Sequence, residues 1–216
     1  MKLYKYRTLG TEFQYALDIL VNERLYCADY RALNDPLEGV HRLAEEQHFV
    51  AGLGNFIQPE ELRDLQSLTP EGTAPPRVCS LSGSADHFLL WSHYADGHRG
   101  VAIEVDLEAT FAGPLHPVEY APDLPSYGRT ILCGATVRDV LLHKTAHWAH
   151  EQEYRVVQND EFFDIAGRIT GLLLGMSVDS HQQELLEKVV PSAIPIHPTT
   201  IDWKNLRIVK GEPLSR

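Results

Sequence analysis

Hydrophobic and polar positions follow two kinds of short pattern along the chain, one typical of strands and one typical of helices. LYKYRTL, at residues 3–9, alternates large and polar side chains and predicts the first strand. Residues 11–26 repeat apolar side chains at helical spacing, namely Phe13, Leu17, Leu20 and Val21. We therefore predict a helix after the first strand, with Thr11 as its N-cap.

The rest of the chain continues this irregular mixture. A short strand near residue 24 leads into a turn at residues 34–36, where Asn, Asp and Pro favour chain reversal. Helices are predicted over residues 40–53, 59–68, 85–96 and 182–190, and residues 126–150 are predicted to be mainly helical. Strands are predicted over residues 77–83, 100–107, 117–122, 151–157 and 205–214, while 169–178 is either a buried strand or a tight apolar turn.

The order of these elements predicts the fold class. Strands and helices mix without a regular β-α-β repeat, which favours an α+β fold, and 216 residues suit a single domain spanning 1–216. TPEGTAPP predicts an exposed loop around residues 69–77. Neither a Gly-x-Gly-x-x-Gly nor a phosphate-loop signature is present, so the usual dinucleotide fold and the P-loop enzymes are not supported.

Charge and composition narrow the class of protein further. The net charge of −11 argues against general binding to a nucleic-acid backbone, although a local basic pocket remains compatible with it. Candidates for such a pocket are Lys5, Arg7, Arg99, Lys144 and Arg155. The charged N-terminus does not resemble a signal peptide, and no apolar run approaches the roughly 18 residues of a membrane span. Three widely spaced cysteines predict reduced thiols, and together these features predict a cytoplasmic protein without a membrane partner.

Histidines are numerous, eleven in all, and suggest a metal site as one hypothesis. His143, His147 and His150 would share one face of a helix and could bind a divalent cation there. The segment lacks the carboxylate placement of the His-Glu-x-x-His motif, so a polar helix face is the preferred interpretation and no metal is expected.

Serine and aromatic side chains concentrate between residues 79 and 105. Ser80, Ser82 and Ser84 alternate on a predicted strand, where their hydroxyls could orient a ribose or an amide. No Gly-x-Ser-x-Gly surrounds them, which argues against a serine hydrolase. Trp91 and Tyr94 lie three residues apart on a predicted helix and form either core packing or an aromatic wall against a planar ligand.

HWAHEQEYRVV, at residues 147–157, carries the most informative charges. In an extended strand Glu151, Glu153 and Arg155 would share one face. Repulsion between the two carboxylates would raise the proton affinity of one of them, and Arg155 would oppose this by ion pairing. Taken alone, the row is also compatible with a surface ion pair of little consequence.

Several motifs together resemble the bacterial domain of unknown function 2971 family. They are LYKYR, ALNDPLE, CSLS, LWSHYADGHRGVAIEV, VEY, and the late Lys-x-x-x-Trp-x-x-Glu-x-Glu-Tyr-Arg formed by Lys144, Trp148, Glu151, Glu153, Tyr154 and Arg155. The resemblance covers nearly the whole chain.

A more distant similarity is to ADP-ribosyltransferases, whose arginine-type members carry an Arg or His on the first strand, a Ser-x-Ser-like strand midway and a late Glu-x-Glu. The similarity implies a mixed, split β-sheet flanked by helices, with NAD as the substrate. By this resemblance Glu153 would stabilise the positively charged ribose transition state and Glu151 would orient or deprotonate the acceptor. By the same resemblance Tyr6 and Arg7 belong to the NAD-binding residues, and Arg7 would hold the phosphates or the ribose. Ser80 or Ser82 would brace the glutamate or the ribose, and Tyr94 would stack on the nicotinamide. Ser-Leu-Ser in place of Ser-Thr-Ser, and the added Arg155, depart from that pattern.

The functional hypotheses are therefore three. The first is transfer of ADP-ribose from NAD to a nucleic-acid or protein acceptor, in the setting of a toxin or antiviral defence effector with an antitoxin or other protein partner. The second is a non-catalytic domain that binds a nucleotide or a partner on the same scaffold, and the third is a histidine-based metal-dependent nuclease. The first requires Arg7, Ser80, Ser82 and Glu153 to converge in one cleft, whereas Arg155 capping Glu153 far from Arg7 would count against it.

Overall fold

The computed structural model describes residues 1–44, 61–108, 113–128 and 134–215. Its strands are β1 (Lys2–Arg7), β2 (Arg24–Tyr26), β3 (Ala28–Asp29), β4 (Val40–Ala44), β5 (Glu61–Asp64), β6 (Arg77–Ser82), β7 (Val101–Asp106), β8 (Leu115–Pro117), β9 (Glu119–Ala121), β10 (Ser126–Gly128), β11 (His143–Thr145), β12 (Glu153–Gln158), β13 (Phe162–Asp164), β14 (Ile169–Leu174), β15 (Ile196–Asp202) and β16 (Arg207–Lys210). The α-helices are α1 (Phe13–Asn22), α2 (Phe88–Tyr94), α3 (Gly134–Leu141) and α4 (Ser180–Val189). Short 3₁₀ helices occupy Tyr30–Ala32, Leu65–Leu68 and Ala146–Glu151.

A large mixed sheet organises the described part of the chain, which confirms the predicted α+β class. Its strands run in the order β16-β15-β14-β7-β1-β6-β12-β8, with β3 added beside β6. The pair β14–β15 is parallel and the other pairs in the sheet are antiparallel. Because its strands come from both ends of the chain, residues 2 to 210 contribute to one sheet.

The sheet divides along one edge of β6. The other edge of β6 is occupied throughout by β12, from Glu153↔Ser82 to Gln158↔Arg77. On the divided edge β1 pairs at Tyr4↔Ser82, whereas β3 pairs at Ala28↔Val78 and Asp29↔Arg77. Within the described residues, positions 79–81 of β6 therefore face an opening between β1 and β3, which we call the sheet gap.

Helices cover both faces of the sheet near this gap. On one face Ala16, Ile19 and Leu20 of α1 pack with Leu3 of β1 and Ile103 of β7, all nearly inaccessible to solvent. Burial of each Leu or Ile side chain contributes about 1.5–3 kcal/mol, so this face anchors β1 firmly.

On the other face, Trp91 of α2 is fully buried and packs edge-on against Tyr6, with ring centroids 5.2 Å apart. The Trp91 indole donates a hydrogen bond to the carbonyl of Ala85 at 2.8 Å. The sequence left open whether Trp91 was core or ligand wall, and its position is that of core packing.

Several predicted helices are strands in the structure. Val40–Ala44 and Glu61–Asp64 form an antiparallel pair, and β10 adds in parallel to β4, so the helix predictions over 40–53 and 59–68 are wrong in these parts. Residues 45–60 lie outside the described residues. These segments are strands because they form hydrogen bonds with partners distant in the chain. The local spacing of apolar residues does not reveal such partners.

The predicted helical region at 126–150 and the start of α1 also need correction. α3 occupies only residues 134–141, and β10 and β11 flank it. α1 begins at Phe13 rather than after a Thr11 cap, and Glu12 at the N-cap position makes no side-chain capping bond. The helix ends at Asn22 because Glu23 turns into the left-handed region, with φ of 48°. β15 was not predicted.

The predicted buried segment near residue 170 is a strand, β14, and residues 69–76 form the predicted loop before β6. None of the helices in the described ranges has the length and hydrophobicity required to cross a membrane.

Candidate functional site

A cavity of about 430 Å³ opens at the sheet gap. Strands β1, β6 and β12, helix α2 and the segment at residues 32–34 contribute to its wall. Among its lining residues are all seven site residues predicted from the sequence: Tyr6, Arg7, Ser80, Ser82, Tyr94, Glu151 and Glu153. The structure thus brings these chain-distant side chains into one place.

Arg155 lines the cavity and binds two carboxylates. Alternation along β12 directs Glu153 and Arg155 to the same face, as predicted. The Arg155 Nε donates to Glu153 Oε1 at 2.8 Å, and its Nη1 and Nη2 donate to the two oxygens of Glu38 at 2.5 and 2.8 Å. Only 1% of the Arg155 side chain is exposed, so this is a buried ion-pair cluster and not a surface pair.

Arg155 does cap Glu153, and Arg155 and Arg7 line the same cavity. Burial opposes ionisation of Glu153, yet the charges of Arg155 and Lys144 outweigh it and hold the pKa of this carboxyl below its ordinary value. Glu153 is therefore ionised at neutral pH.

Lys144 joins the two predicted carboxylates. Its Nζ lies 2.5 Å from Glu151 Oε2 and 2.9 Å from Glu153 Oε2. Burial opposes the charge of Lys144, but Glu153 and Glu151 raise its pKa above the ordinary value. A cation between two carboxylates removes the repulsion that the sequence predicted between them.

Glu151 does not share a strand with Glu153, so this part of the prediction is wrong. It ends the 3₁₀ helix Ala146–Glu151, and Gln152 then adopts φ of 45° before β12 begins. The left-handed residue turns the chain, and Lys144 brings the two carboxylates together instead of strand alternation.

Tyr94 and Ser82 hold Glu151 in position. The Tyr94 hydroxyl donates to Glu151 Oε1 at 2.5 Å, and burial together with this bond raises the pKa of Tyr94. Ser82 Oγ donates to the Glu151 carbonyl at 2.6 Å, which fixes the end of the 3₁₀ helix. Ser80 lines the same cavity and contributes to the lowered pKa of Glu153.

Lys5 and Arg7 supply positive charge at the other side of the cavity. Lys5 Nζ donates to the Ser80 carbonyl at 2.8 Å and lies 3.6 Å from Cys79 Sγ. Arg7 Nε is buried with no hydrogen-bond partner among the described residues. Among the described residues, neither Lys5 nor Arg7 forms a salt bridge with a carboxylate.

Burial lowers the pKa of both Lys5 and Arg7. An anion bound between them would replace the lost solvation, so this pair is suited to a phosphate or carboxylate group.

The predicted basic pocket is correct in four members and wrong in one. Lys5, Arg7, Lys144 and Arg155 line the cavity, whereas Arg99 forms an exposed pair with Asp96 at 2.9 Å. Arg99 follows a tight turn after α2, and that turn directs it to the surface.

Glu38 is a site residue that the sequence did not indicate. It ends the ALNDPLE segment and reaches Arg155 across 117 positions of chain. Burial raises the pKa of Glu38, and the charge of Arg155 opposes this shift. Its place at the end of the ALNDPLE motif is the only feature of the local sequence that points to Glu38.

The three histidines predicted to share one face of an α-helix do not lie on an α-helix. His143 lies on β11 and His147 and His150 lie in the 3₁₀ helix, so their side chains do not follow α-helical spacing. His143 Nε2 is 2.9 Å from the Asp123 carbonyl. Across the described ranges no group of three or more His, Cys, Asp or Glu is arranged to hold a metal ion.

Comparison of the chain with protein-family models, with curated proteins and with solved structures finds no match. The two resemblances drawn from the sequence motifs therefore stay predictions.

Proposed function

We propose that the cavity at the sheet gap binds NAD and that the protein transfers ADP-ribose from it to a nucleic-acid or protein acceptor. The observation that carries this proposal is the convergence of Arg7, Ser80, Ser82 and Glu153 on one cavity. These residues come from three strands that are far apart in sequence, and the hypothesis required them to meet.

The charges of the cavity match the chemistry of such a substrate. Lys5 and Arg7 form a cationic side for the diphosphate, since a guanidinium binds phosphate through paired hydrogen bonds. Glu151 and Glu153 form an anionic side for the ribose. NAD carries a diphosphate and a ribose in one molecule, separated by a few bonds.

Cleavage of the bond between ribose and nicotinamide builds positive charge on the sugar. An ionised carboxylate held in place before the reaction stabilises that charge without reorganising. Glu153 takes this role because its pKa is depressed, and Lys144 and Arg155 hold it rigidly. Glu151, hydrogen-bonded to Tyr94, orients the acceptor.

The test is nicotinamide release from NAD labelled in its adenylate group, with cell extract as the source of acceptors. We expect the wild type to release nicotinamide and label a product, and Glu153→Gln to lower the rate by about a hundredfold or more. Glu104→Gln is the matched control, because Glu104 is a buried glutamate of the same sheet that does not line the cavity. The proposal is wrong if the wild type releases no nicotinamide, or if Glu153→Gln equals the control in rate.

One observation favours a second candidate, a domain that binds a nucleotide without turnover. Both oxygens of Glu153 already accept bonds, from Arg155 at 2.8 Å and Lys144 at 2.9 Å, which leaves the carboxylate less able to receive a ribose hydroxyl. Under this hypothesis NAD raises the melting temperature, because a ligand that binds only the folded state stabilises it. Thermal stabilisation without nicotinamide release identifies this candidate, and Arg7→Met should then abolish the stabilisation.

A further inference from the structure

Two thiols lie opposite each other where β3 meets β6, beside the sheet gap. Ala28 pairs with Val78 in antiparallel register, so the preceding Cys27 faces Cys79. Both are free thiols in the structure and both are buried.

The backbone geometry at this pair suits a disulfide. The Cys27 amide donates to the Glu161 carbonyl at 2.8 Å and therefore does not exchange hydrogen bonds with Cys79. Opposed residues of this non-hydrogen-bonded kind have Cα atoms about 4.5 Å apart. That separation lies within the range of roughly 4.4–6.8 Å found across disulfides.

The surroundings of Cys79 favour its thiolate. Lys5 Nζ lies 3.6 Å from Cys79 Sγ, and Lys5 itself lines the cavity. The neighbouring Cys27 thiol lowers the pKa of the Cys79 thiol against the effect of burial, and the charges of Lys5 and Arg7 lower it further. A thiolate is the form of cysteine that reacts with oxidants.

We propose that Cys27 and Cys79 form a peroxide-reactive site, in which Cys79 is the attacking thiol and Cys27 closes a disulfide. The Cys79 thiolate attacks one oxygen of hydrogen peroxide, the O–O bond breaks, and the departing hydroxide takes a proton from solvent and leaves as water. The Cys27 sulfur then attacks the sulfenic acid, the S–S bond forms, and the S–O bond breaks. The released hydroxide takes the Cys27 proton and leaves as a second water molecule.

The electrons balance, because two thiols lose two electrons and one peroxide is reduced to two molecules of water. The proposal requires peroxide, a molecule of only two heavy atoms, to reach Cys79 from the side of the cavity that Lys5 lines. The site is independent of NAD chemistry, so it stands whether or not the proposed function is correct.

Peptide mapping tests the site directly, because trypsin places the three cysteines in three different peptides. Cys27 falls in residues 25–31, Cys79 in 78–99 and Cys133 in 130–138. The native full-length protein is treated with equimolar hydrogen peroxide near neutral pH, alkylated, digested and analysed by mass spectrometry. We expect a cross-link between 25–31 and 78–99, with 130–138 alkylated. Absence of this cross-link, or preferential links to 130–138, overturns the proposal.

Two variants and one condition separate the roles of the residues. Cys27→Ser should leave a sulfenic acid on Cys79 that dimedone traps, because no second thiol can resolve it. Lys5→Met should slow the loss of the Cys79 thiol severalfold, whereas an unchanged rate would exclude Lys5 from activating Cys79. Oxidation of the urea-unfolded protein is the control, in which all three cysteines should cross-link without preference.

Discussion

Replacing Arg155 with methionine would leave two buried carboxylates without their main partner. Arg155 donates to Glu38 and Glu153 through its guanidinium and also to the Leu141 carbonyl, and 1% of its side chain is exposed. Methionine has a similar length but donates no hydrogen bonds. The Glu38 and Glu153 side chains are only 3% and 4% exposed, so solvent cannot replace the lost donors.

Breaking a buried ion pair by removing one partner costs about 3–5 kcal/mol. The total stability of a domain is about 5–15 kcal/mol, so this is a large fraction of it. With a urea m-value of about 2 kcal/mol/M, we expect the unfolding midpoint to fall by about 2 M. Urea titration followed by circular dichroism measures this midpoint.

Arg99→Met is the matched control, because Arg99 also pairs with an aspartate but is 60% exposed. An exposed pair contributes about 0–1 kcal/mol, so its midpoint should scarcely move. Adding Glu38→Gln to Arg155→Met should recover part of the loss, since it removes one of the stranded charges. If Arg155→Met and Arg99→Met shift the midpoint equally, the assignment of Arg155 as the support of the site is refuted.

The same cluster predicts a pH dependence. The folded-state pKa of Glu153 lies below its ordinary value, so its contribution to stability is present above about pH 4.3 and is lost as the pH falls further. In Arg155→Met this contribution is largely absent. The difference in unfolding free energy between wild type and variant should therefore shrink below about pH 4.

Further predictions concern the anion pair, the bridging lysine and a tightly packed glycine. Arg7→Met should weaken pyrophosphate binding by about tenfold to a hundredfold in calorimetric titration, because a hydrogen bond to a charged group contributes about 1.5–3 kcal/mol. Lys144→Met should restore repulsion between Glu151 and Glu153 and raise the pKa of one of them, so urea titrations should show relative stabilisation as the pH falls from about 8 to 5. Gly100→Ala should lower the unfolding free energy by about 1–3 kcal/mol, since an added Cβ would lie 2.2 Å from the Arg7 carbonyl oxygen.

Each of these three variants has its own comparison. Arg31→Met removes an exposed arginine outside the cavity and should leave pyrophosphate affinity unchanged. A pH profile of Lys144→Met parallel to that of the wild type would contradict the bridging role. Gly10→Ala should be nearly neutral, because a Cβ there meets no atom within 4 Å, and equal losses for Gly10→Ala and Gly100→Ala would contradict the packing argument.

The parts of the fold that the sequence predicted are those whose pattern is local. Alternation in LYKYRTL and the apolar run of β7 identify central strands, because their side chains must fill a core on known faces. β4, β5 and β11 escaped prediction because each is short and depends on partners distant in the chain. His143–Thr145, for example, becomes a strand only by pairing with Glu119–Ala121.

The residues of the candidate site also divide into those that the sequence predicted and those that it did not. Glu153 and Arg155 follow from strand alternation, and Arg7 and the serines from resemblance to a known pattern. Glu38 did not emerge, because only the folded chain brings it to Arg155. The contact of Lys5 with Ser80 was equally hidden, since it depends on the register at which β1 leaves β6.

The sheet gap also has a consequence for the order of folding. Its contacts join positions far apart in the chain: 75 residues separate Lys5 from Ser80, 69 separate Ser82 from Glu151, and 117 separate Glu38 from Arg155. Closing loops of this length makes such contacts slow to form. A chain emerging from the ribosome can build the α1 side of β1 early, but its cavity lacks Glu151, Glu153 and Arg155 until residue 155 has emerged. Any activity of the cavity must therefore wait until most of the protein has been synthesised.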